Sequence, residues 1–160
     1  MAPSRRSQVV VGVISDTHGL VRPEAVDALH GSDVIVHCGD VGAPAVLDAL
    51  RAIAPVHAVR GNNDRGSWAS KLQSEVVIEV GSHRLYAIHD VHELDFEPTS
   101  KKMTVVLFGH SHRPLVEERG GVIYLNPGSA GPRRFHLPVA IAQLVLSARR
   151  CDVRIVDLAA

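Results

Sequence analysis

Aromatic side chains are scarce, with one Trp, two Tyr and three Phe in 160 residues, and no long basic stretch is interleaved with rings. A dedicated polynucleotide surface combines basic charge with stacking platforms, so that class is disfavoured. Charge of one sign is also lacking, because 17 Lys and Arg balance 17 Asp and Glu. A net charge near zero gives no general attraction to nucleic acid or to an anionic membrane, although it leaves room for a local surface. No segment nears the ~18 consecutive apolar residues of a membrane span. Arg5 and Arg6 precede an apolar run as in a signal peptide, but that run, Val9 to Ile14, is too short and soon meets Asp16. Cysteine is nearly absent, which argues against a structural zinc site. Cys38 lies in an apolar stretch and reads as a buried free thiol, and Cys151 is the only other cysteine. These absences lead us to expect a cytoplasmic protein with a disordered leader over residues 1–7 and one domain over residues 8–160.

What the chain does have is a succession of short apolar runs. Gln8 to Ser15 is continuous and β-branched, as suits a strand buried on both faces. Pro23 and Glu24 open a helix to about His30, with proline near a first-turn position. Asp33 to Cys38 is a second strand. Pro44 starts a second helix with Val46, Leu47 and Leu50 on one face, and Pro55 to Arg60 is a third strand. That alternation calls for a parallel sheet with helical crossovers. Strands dominate from Glu75 onward. Glu75 to Val80 and His83 to Ile88 are joined by Gly81-Ser82, and Thr104 to Phe108 follows. Leu115 to Arg119 and Val122 to Leu125 are joined by Gly120-Gly121, and Val139 to Leu146 and Asp152 to Val156 close the series. Val91 to Lys102 reads as a polar loop or short helix. The expected class is α/β, with two sheets face to face and helices outside.

Five strand ends carry polar side chains: Asp16 and His18; Asp40; Asn62, Asn63 and Asp64; His89; His110 and His112. In sheets of this kind ligands gather beyond the carboxyl ends of the strands. Each residue alone has an ordinary explanation, since Asp and Asn form turns and a histidine is commonly a satisfied core or surface group. Recurrence in one context reverses that reading. Carboxylate, imidazole and amide oxygen together suit Mn, Fe, Co, Ni or Zn. The candidates outnumber the needs of one ion, so two ions are the economical reading, and a carboxylate such as Asp40 is suited to bridging them. Gly39, Gly61 and Gly109 each precede a candidate, where the backbone needs a tight turn. His37 reads as a core or supporting residue, and His30, His57, His83 and His136 as scaffold or surface.

In order along the chain, Asp16-Thr17-His18, Gly39-Asp40, Gly61-Asn62-Asn63-Asp64, His89 and Gly109-His110-Ser111-His112 form the series D-x-H, G-D, G-N-x-D, H, G-H-x-H. In this the chain resembles the calcineurin-like metallophosphoesterase superfamily over about Val9 to Ser129. Its compact length and its Asn126-Pro127-Gly128-Ser129 turn resemble the small bacterial and archaeal phosphodiesterase branch. The resemblance implies a four-layer α/β/β/α sandwich of two mixed β-sheets flanked by helices. It also implies one metal on Asp16, His18, Asp40 and His112, and a second on Asp40, Asn62, His89 and His110, with Asp40 as the bridge. Manganese is the foremost choice, and Fe, Ni, Co and Zn are also admitted. Asp64 is expected to orient a ligand or an active-site histidine by hydrogen bond.

The function so implied is a binuclear metal-dependent phosphodiesterase for small diesters, with nucleotides admitted among them. Two divalent ions outweigh Asp16 and Asp40, leaving a positive site for an anionic phosphoester and for attack by a hydroxide shared between the ions. A phosphomonoesterase or protein phosphatase of the same fold is one alternative. A non-catalytic interaction scaffold is another, weakened because every expected ligand position is filled. Homo-oligomers are allowed, and a membrane or a dedicated nucleic-acid partner is not expected. Many members of the superfamily carry histidine at the position of Asn63. An amide cannot act as a general acid at neutral pH. His92 and Asp90 are the substitute candidates, and Asn63 and Arg60 are candidates for substrate contact, with Arg65 and Arg133 also able to meet phosphate oxygens. Without that histidine, the rate should fall steeply along a series of phenyl phosphodiesters whose leaving groups rise in pKa. A flat series would refute this dependence on good leaving groups.

Overall fold

Two five-stranded sheets face each other, and the chain visits the first, then the second, then returns to the first. The structure, a computed structural model, describes residues 7–158. The expected leader therefore lies outside the described residues except for Ser7. The first half runs β1 (Val9–Ile14), α1 (Pro23–Leu29), β2 (Val34–His37), α2 (Pro44–Arg51) and β3 (Val56–Ala58). β1, β2 and β3 are parallel neighbours, and the two helices make the crossovers. β4 (Glu75–Val80), β5 (His83–Ile88), β6 (Val105–Leu107), β7 (Leu115–Arg119) and β8 (Val122–Asn126) form the second sheet in the order β4-β5-β6-β8-β7. The final hairpin, β9 (Ala140–Leu146) and β10 (Cys151–Asp157), returns to lie antiparallel beside β1. Both sheets are mixed, as expected. Among the described residues, no helix is long and apolar enough to cross a membrane.

The two-residue period of the strands sorts the core into layers. Val11, Val13 and Val36 point between the sheets, where they meet Leu85, Leu107, Leu125 and Leu144. Each such side chain, fully buried, contributes about 1.5–3 kcal/mol. Ile14, Ile35 and Ile141 point to the other side and pack under Leu29, Val46 and Leu50 of the helices. The outer face of the second sheet has no α-helix over it. Tyr86, Val106, Phe108 and Tyr124 are covered by Val91, Leu94 and Phe96, of which Val91 sits on a short 3₁₀ turn at Val91–Glu93 and the other two lie between it and a second turn at Pro98–Lys101. Three apolar residues in a mostly polar segment cap part of that face, and Phe96 meets Tyr86 edge to face at 4.8 Å. The free thiol of Cys38 is fully buried just past β2.

At one end of the sandwich, the loops after the strands continue the sheets' hydrogen bonding. Asp16 N–H donates to Gly39 O at 3.0 Å and His18 N–H to Asp40 O at 3.0 Å. In the second sheet Gly109 N–H donates to His89 O at 3.0 Å, and Ala130 N–H reaches across to Ser15 O at 3.0 Å. Two glycines leave room here: Gly61 lets the loops after β2 and β3 of the first sheet close up, and Gly109 lets the second sheet touch the first. A Cβ on Gly61 would lie 2.1 Å from Asp40 Oδ1, and one on Gly109 would lie 2.0 Å from Ser15 Oγ and 2.6 Å from Asp16 Oδ2. Neither glycine has a positive φ, so close approach, not a tight turn, explains them. Gly109→Ala should therefore force the two sheets apart at this end and cost about 1–3 kcal/mol. Equilibrium denaturation measures this, and wild-type stability in the variant would refute it.

Candidate metal centre

Seven non-glycine residues among those described have positive φ: Asp16, His18, Asp40, His110, His112, Lys102 and Phe135. The first five are all candidate ligands. Left-handed backbone disfavours L residues, and it persists where the surroundings over-determine it, commonly at functional sites. Here the loop ladders supply that constraint. The strained turns swing consecutive side chains out of the strand direction and into one pocket.

The donor atoms meet at the seam of the sheets. His112 Nε2 lies 3.4 Å from Asp16 Oδ1 and 3.3 Å from His18 Nε2. His18 Nε2 lies 3.9 Å from Asp16 Oδ1 and 3.8 Å from Asp40 Oδ2. On the other side, His89 Nε2 lies 3.4 Å from Asp40 Oδ2, 3.9 Å from Asp16 Oδ1 and 3.1 Å from Asn62 Oδ1. Two overlapping groups result, Asp16–His18–His112 and Asp16–Asp40–His89. Asp16 is common to both, and Asp40 Oδ2 faces His18 and His89 alike.

Hydrogen bonding behind these atoms leaves their lone pairs free. His89 Nδ1 lies 2.7 Å from Cys38 O. A carbonyl only accepts, so Nδ1 carries the proton and Nε2 presents a lone pair to the cluster. Asp16 Oδ2 accepts from Ser15 Oγ at 2.6 Å and from His110 N–H at 3.1 Å. Its other oxygen, Oδ1, is buried and has no hydrogen-bond partner. A bare, buried carboxylate oxygen ringed by imidazole nitrogens is costly unless a cation sits among them. The donor set of carboxylates, imidazoles and an amide oxygen fits a borderline divalent ion.

The electrostatics agree. Burial by itself raises the pKa of Asp16 and Asp40. For Asp16, the partners His112 and Ser15 and the charge of His89 outweigh burial and hold the carboxyl below its ordinary value. For Asp40, the hydrogen bonds from His89 and Asn63 do the same. Burial lowers His89, but Asp40, Asp16 and the Cys38 carbonyl more than compensate and raise it. A proton and a metal ion compete for the same Nε2 lone pair, so a pocket that draws the one also draws the other.

Residues outside the cluster hold its loops. Asp64 bonds to no ligand side chain other than through the backbone. Its Oδ2 accepts from Val41 N–H and Gly61 N–H and its Oδ1 from Gly42 N–H, at 3.1, 2.9 and 2.9 Å. It thus ties the Asp40 loop to the Asn62 loop. Asn63 donates from its backbone and side chain to the two oxygens of Asp40, each at 2.9 Å. His37 is fully buried, and burial lowers its pKa to about 4. Its Nδ1 accepts from Gly39 N–H at 3.1 Å, so the proton of the neutral ring is on Nε2, which donates to Thr17 Oγ1 at 2.9 Å. Thr17 in turn donates to Val41 O at 2.8 Å. Ser15 and Thr17 are not marked by the sequence as site-building groups, whereas the Asn126–Ser129 turn is expected near the site in a structural role. Asn126 is buried and donates to Gly109 O and Ser111 Oγ at 3.0 and 3.1 Å, and Ser129 Oγ donates to Asp16 O at 3.0 Å. The one local signal of Ser15 and Thr17 is a small polar residue at the end of an apolar run.

Three candidates stand apart. His110 is half exposed, stacks edge to face on His89 at 5.2 Å, and its Nε2 lies 4.0 Å from Asp90 Oδ2, outside both donor groups. His92 is 90 % exposed and its Nδ1 pairs with Asp90 Oδ1 at 3.0 Å. Arg60 donates to Leu72 O at 3.2 Å on the rim of a cavity of ≈ 200 Å³ that also has Asn62, His89, Asp90 and His110 in its wall.

The family model for the calcineurin-like phosphoesterase superfamily domain matches residues 9–148. A probable metallophosphoesterase of Methanothermobacter thermautotrophicus is 33% identical over 160 aligned residues, covering 92% of each chain. A phosphodiesterase of Methanocaldococcus jannaschii is 27% identical over 136 residues, covering 74% of this chain and 82% of that protein. Among solved structures, Vps29 of Entamoeba histolytica complexed with zinc superimposes with a TM-score of 0.70 at 24% identity, covering 94% of this chain and 99% of that one. The strained ligand loops, the seam between two mixed sheets and the extent of the match lead to one assignment: the chain belongs to the calcineurin-like phosphoesterase superfamily.

Proposed function

We propose that this protein is a metal-dependent phosphodiesterase with two divalent cations, acting on small diesters within one domain over residues 8–160. The single observation that carries the reading is the buried, unpartnered Asp16 Oδ1 facing the Nε2 atoms of His18, His89 and His112. Asp16, His18, Asp40 and His112 hold one cation, and Asp40, Asn62, His89 and His110 the other. His110 joins by rotating its half-exposed side chain from Asp90. Manganese suits the donors, as do iron, nickel, cobalt and zinc. Cations at such a centre supply Lewis acidity toward a phosphoryl oxygen and lower the pKa of bound water.

The chain's own residues orient the substrate around that chemistry. Asp64 and Asn63 fix Asp40, and the Cys38 carbonyl fixes the His89 ring, so the donors need no rearrangement as charge develops. Asn63 is occupied on Asp40, so it stabilises the leaving group only if substrate displaces that bond. His92 is held on Asp90 at the mouth, where it can meet a leaving oxygen from solvent. The relation to a curated phosphodiesterase supports the diester over the monoester.

A non-catalytic scaffold of the same fold is the second reading. Turnover separates the two. Chelation should abolish hydrolysis of bis(p-nitrophenyl) phosphate, and manganese should restore it. Asp40→Asn and His112→Ala should each lower kcat/KM by about 10²-fold or more and reduce bound metal. Metal-independent turnover, or full activity and metal content in both variants, would overturn the proposal.

A further inference from the structure

The outer face of the second sheet is not covered to its end. The 3₁₀ turn at Val91–Glu93 is the last cover before the metal centre, and beyond it a cavity of ≈ 250 Å³ opens against β6, β7 and β8. Phe108 and Tyr124 line it, each almost wholly buried, and Leu115, Arg119, Asp90 and His110 complete the wall used here. Two of the few aromatic rings in the chain thus meet in one place. The register explains the wall. Leu115, Glu117 and Arg119 share one face of β7, and Glu117 is paired with Tyr124 across the ladder. Arg119 places its guanidinium 4.8 Å from the Tyr124 ring centroid and is held by Glu117 at 2.9 Å.

His110 and Asp90 line both this cavity and the polar one that contains Asn62 and His89. A molecule whose phosphorus sits at the metal centre therefore extends one arm past His110 onto Phe108 and Tyr124. The size is below the roughly 300–1,000 Å³ of pockets that enclose whole drug-sized ligands, so it takes a part of a substrate. The charges select which part. Arg119, the one Lys or Arg in the wall, is already paired with Glu117, and Asp90 sets a carboxylate against the imidazoles of His92 and His110, so no free guanidinium or ammonium is left for a further phosphate and a neutral, flat ring is accepted.

Resting on the diesterase reading above, we propose that this cavity binds a ring-bearing ester arm of the substrate, an aryl group or a nucleobase, and so selects aromatic diesters over alkyl ones. Three diesters with the same p-nitrophenolate leaving group test it: the methyl, the phenyl and the 5′-thymidyl esters of p-nitrophenyl phosphate. In the manganese enzyme, kcat/KM for the phenyl and thymidyl esters should exceed that for the methyl ester by about tenfold or more, mainly through KM. Leu115→Asp and Arg119→Ala lie on an exposed edge strand, and their melting curves check folding. Each should pull that ratio toward one. Equal kcat/KM for the three esters in the wild type would overturn the proposal, as would an unchanged ratio in both variants, which is the outcome if the cavity instead seats a partner chain. No metal-stimulated release from any ester would overturn the diesterase reading itself and the proposal with it.

Discussion

One carboxylate oxygen with nothing to accept from sets the terms for this end of the molecule. Asp16 is completely buried at the end of β1, and its Oδ1 has only imidazole nitrogens and another carboxylate around it. Burying charge without a partner costs several kcal/mol, so such a group survives only if the fold holds it there and a cation answers it. Its companion oxygen is fixed by Ser15 and by the backbone of His110, which belongs to the other sheet. The position of Asp16 is therefore a statement about both sheets at once.

The neighbouring hydrogen bonds make sense from that requirement. Asp64 could have been an ordinary turn residue, yet three backbone amides from two loops converge on it. Asn126 and Ser129 work from the second side, binding the Gly109–Ser111 backbone and the Asp16 carbonyl. His37 and Thr17 form a relay of single hydrogen bonds that locks the Asp16 loop to the Asp40 loop. Local order of this kind lowers the entropy lost when a ligand is bound, and it stores the left-handed turns at the ligands as fixed geometry.

Much of this was legible in the sequence. All ten strands were located to within a residue or two: the inner ones by continuous apolar runs, since burial on both faces leaves few other solutions, and the exposed β7 by its Gly-Gly turn to β8. The convergence of Asp16, His18, Asp40, His89 and His112 was legible because the same polar punctuation recurs after strands of both sheets, whereas the outward turn of His110 was not. The outer layer over the second sheet was not, since Val91, Leu94 and Phe96 are spaced for short turns and sit among polar residues. Nor was the return of β9 to the edge of β1, because pairing order depends on contacts far apart in sequence. Asp64 was expected beside a ligand side chain and instead gathers backbone amides, a role that leaves no trace in residue type alone.

The distribution of the donors adds a last consequence. Asp16, His18, Asp40 and Asn62 follow strands of the first sheet, whereas His89, His110 and His112 follow strands of the second. The sheets are joined by apolar contact between their inner faces, which sets their spacing, and by hydrogen bonds across the seam such as His110 N–H to Asp16 Oδ2 and His89 Nδ1–H to Cys38 O. A cation held by donors from both sheets would add directional bonds across the same seam. Binding to the folded chain alone also adds RT ln(1 + [L]/Kd) to its stability, about 2.7 kcal/mol at a hundredfold excess over Kd. The candidate metal centre is thus also a place where the two halves of the fold meet, and the tight approach of Gly109 to Ser15 is what brings them close enough for this.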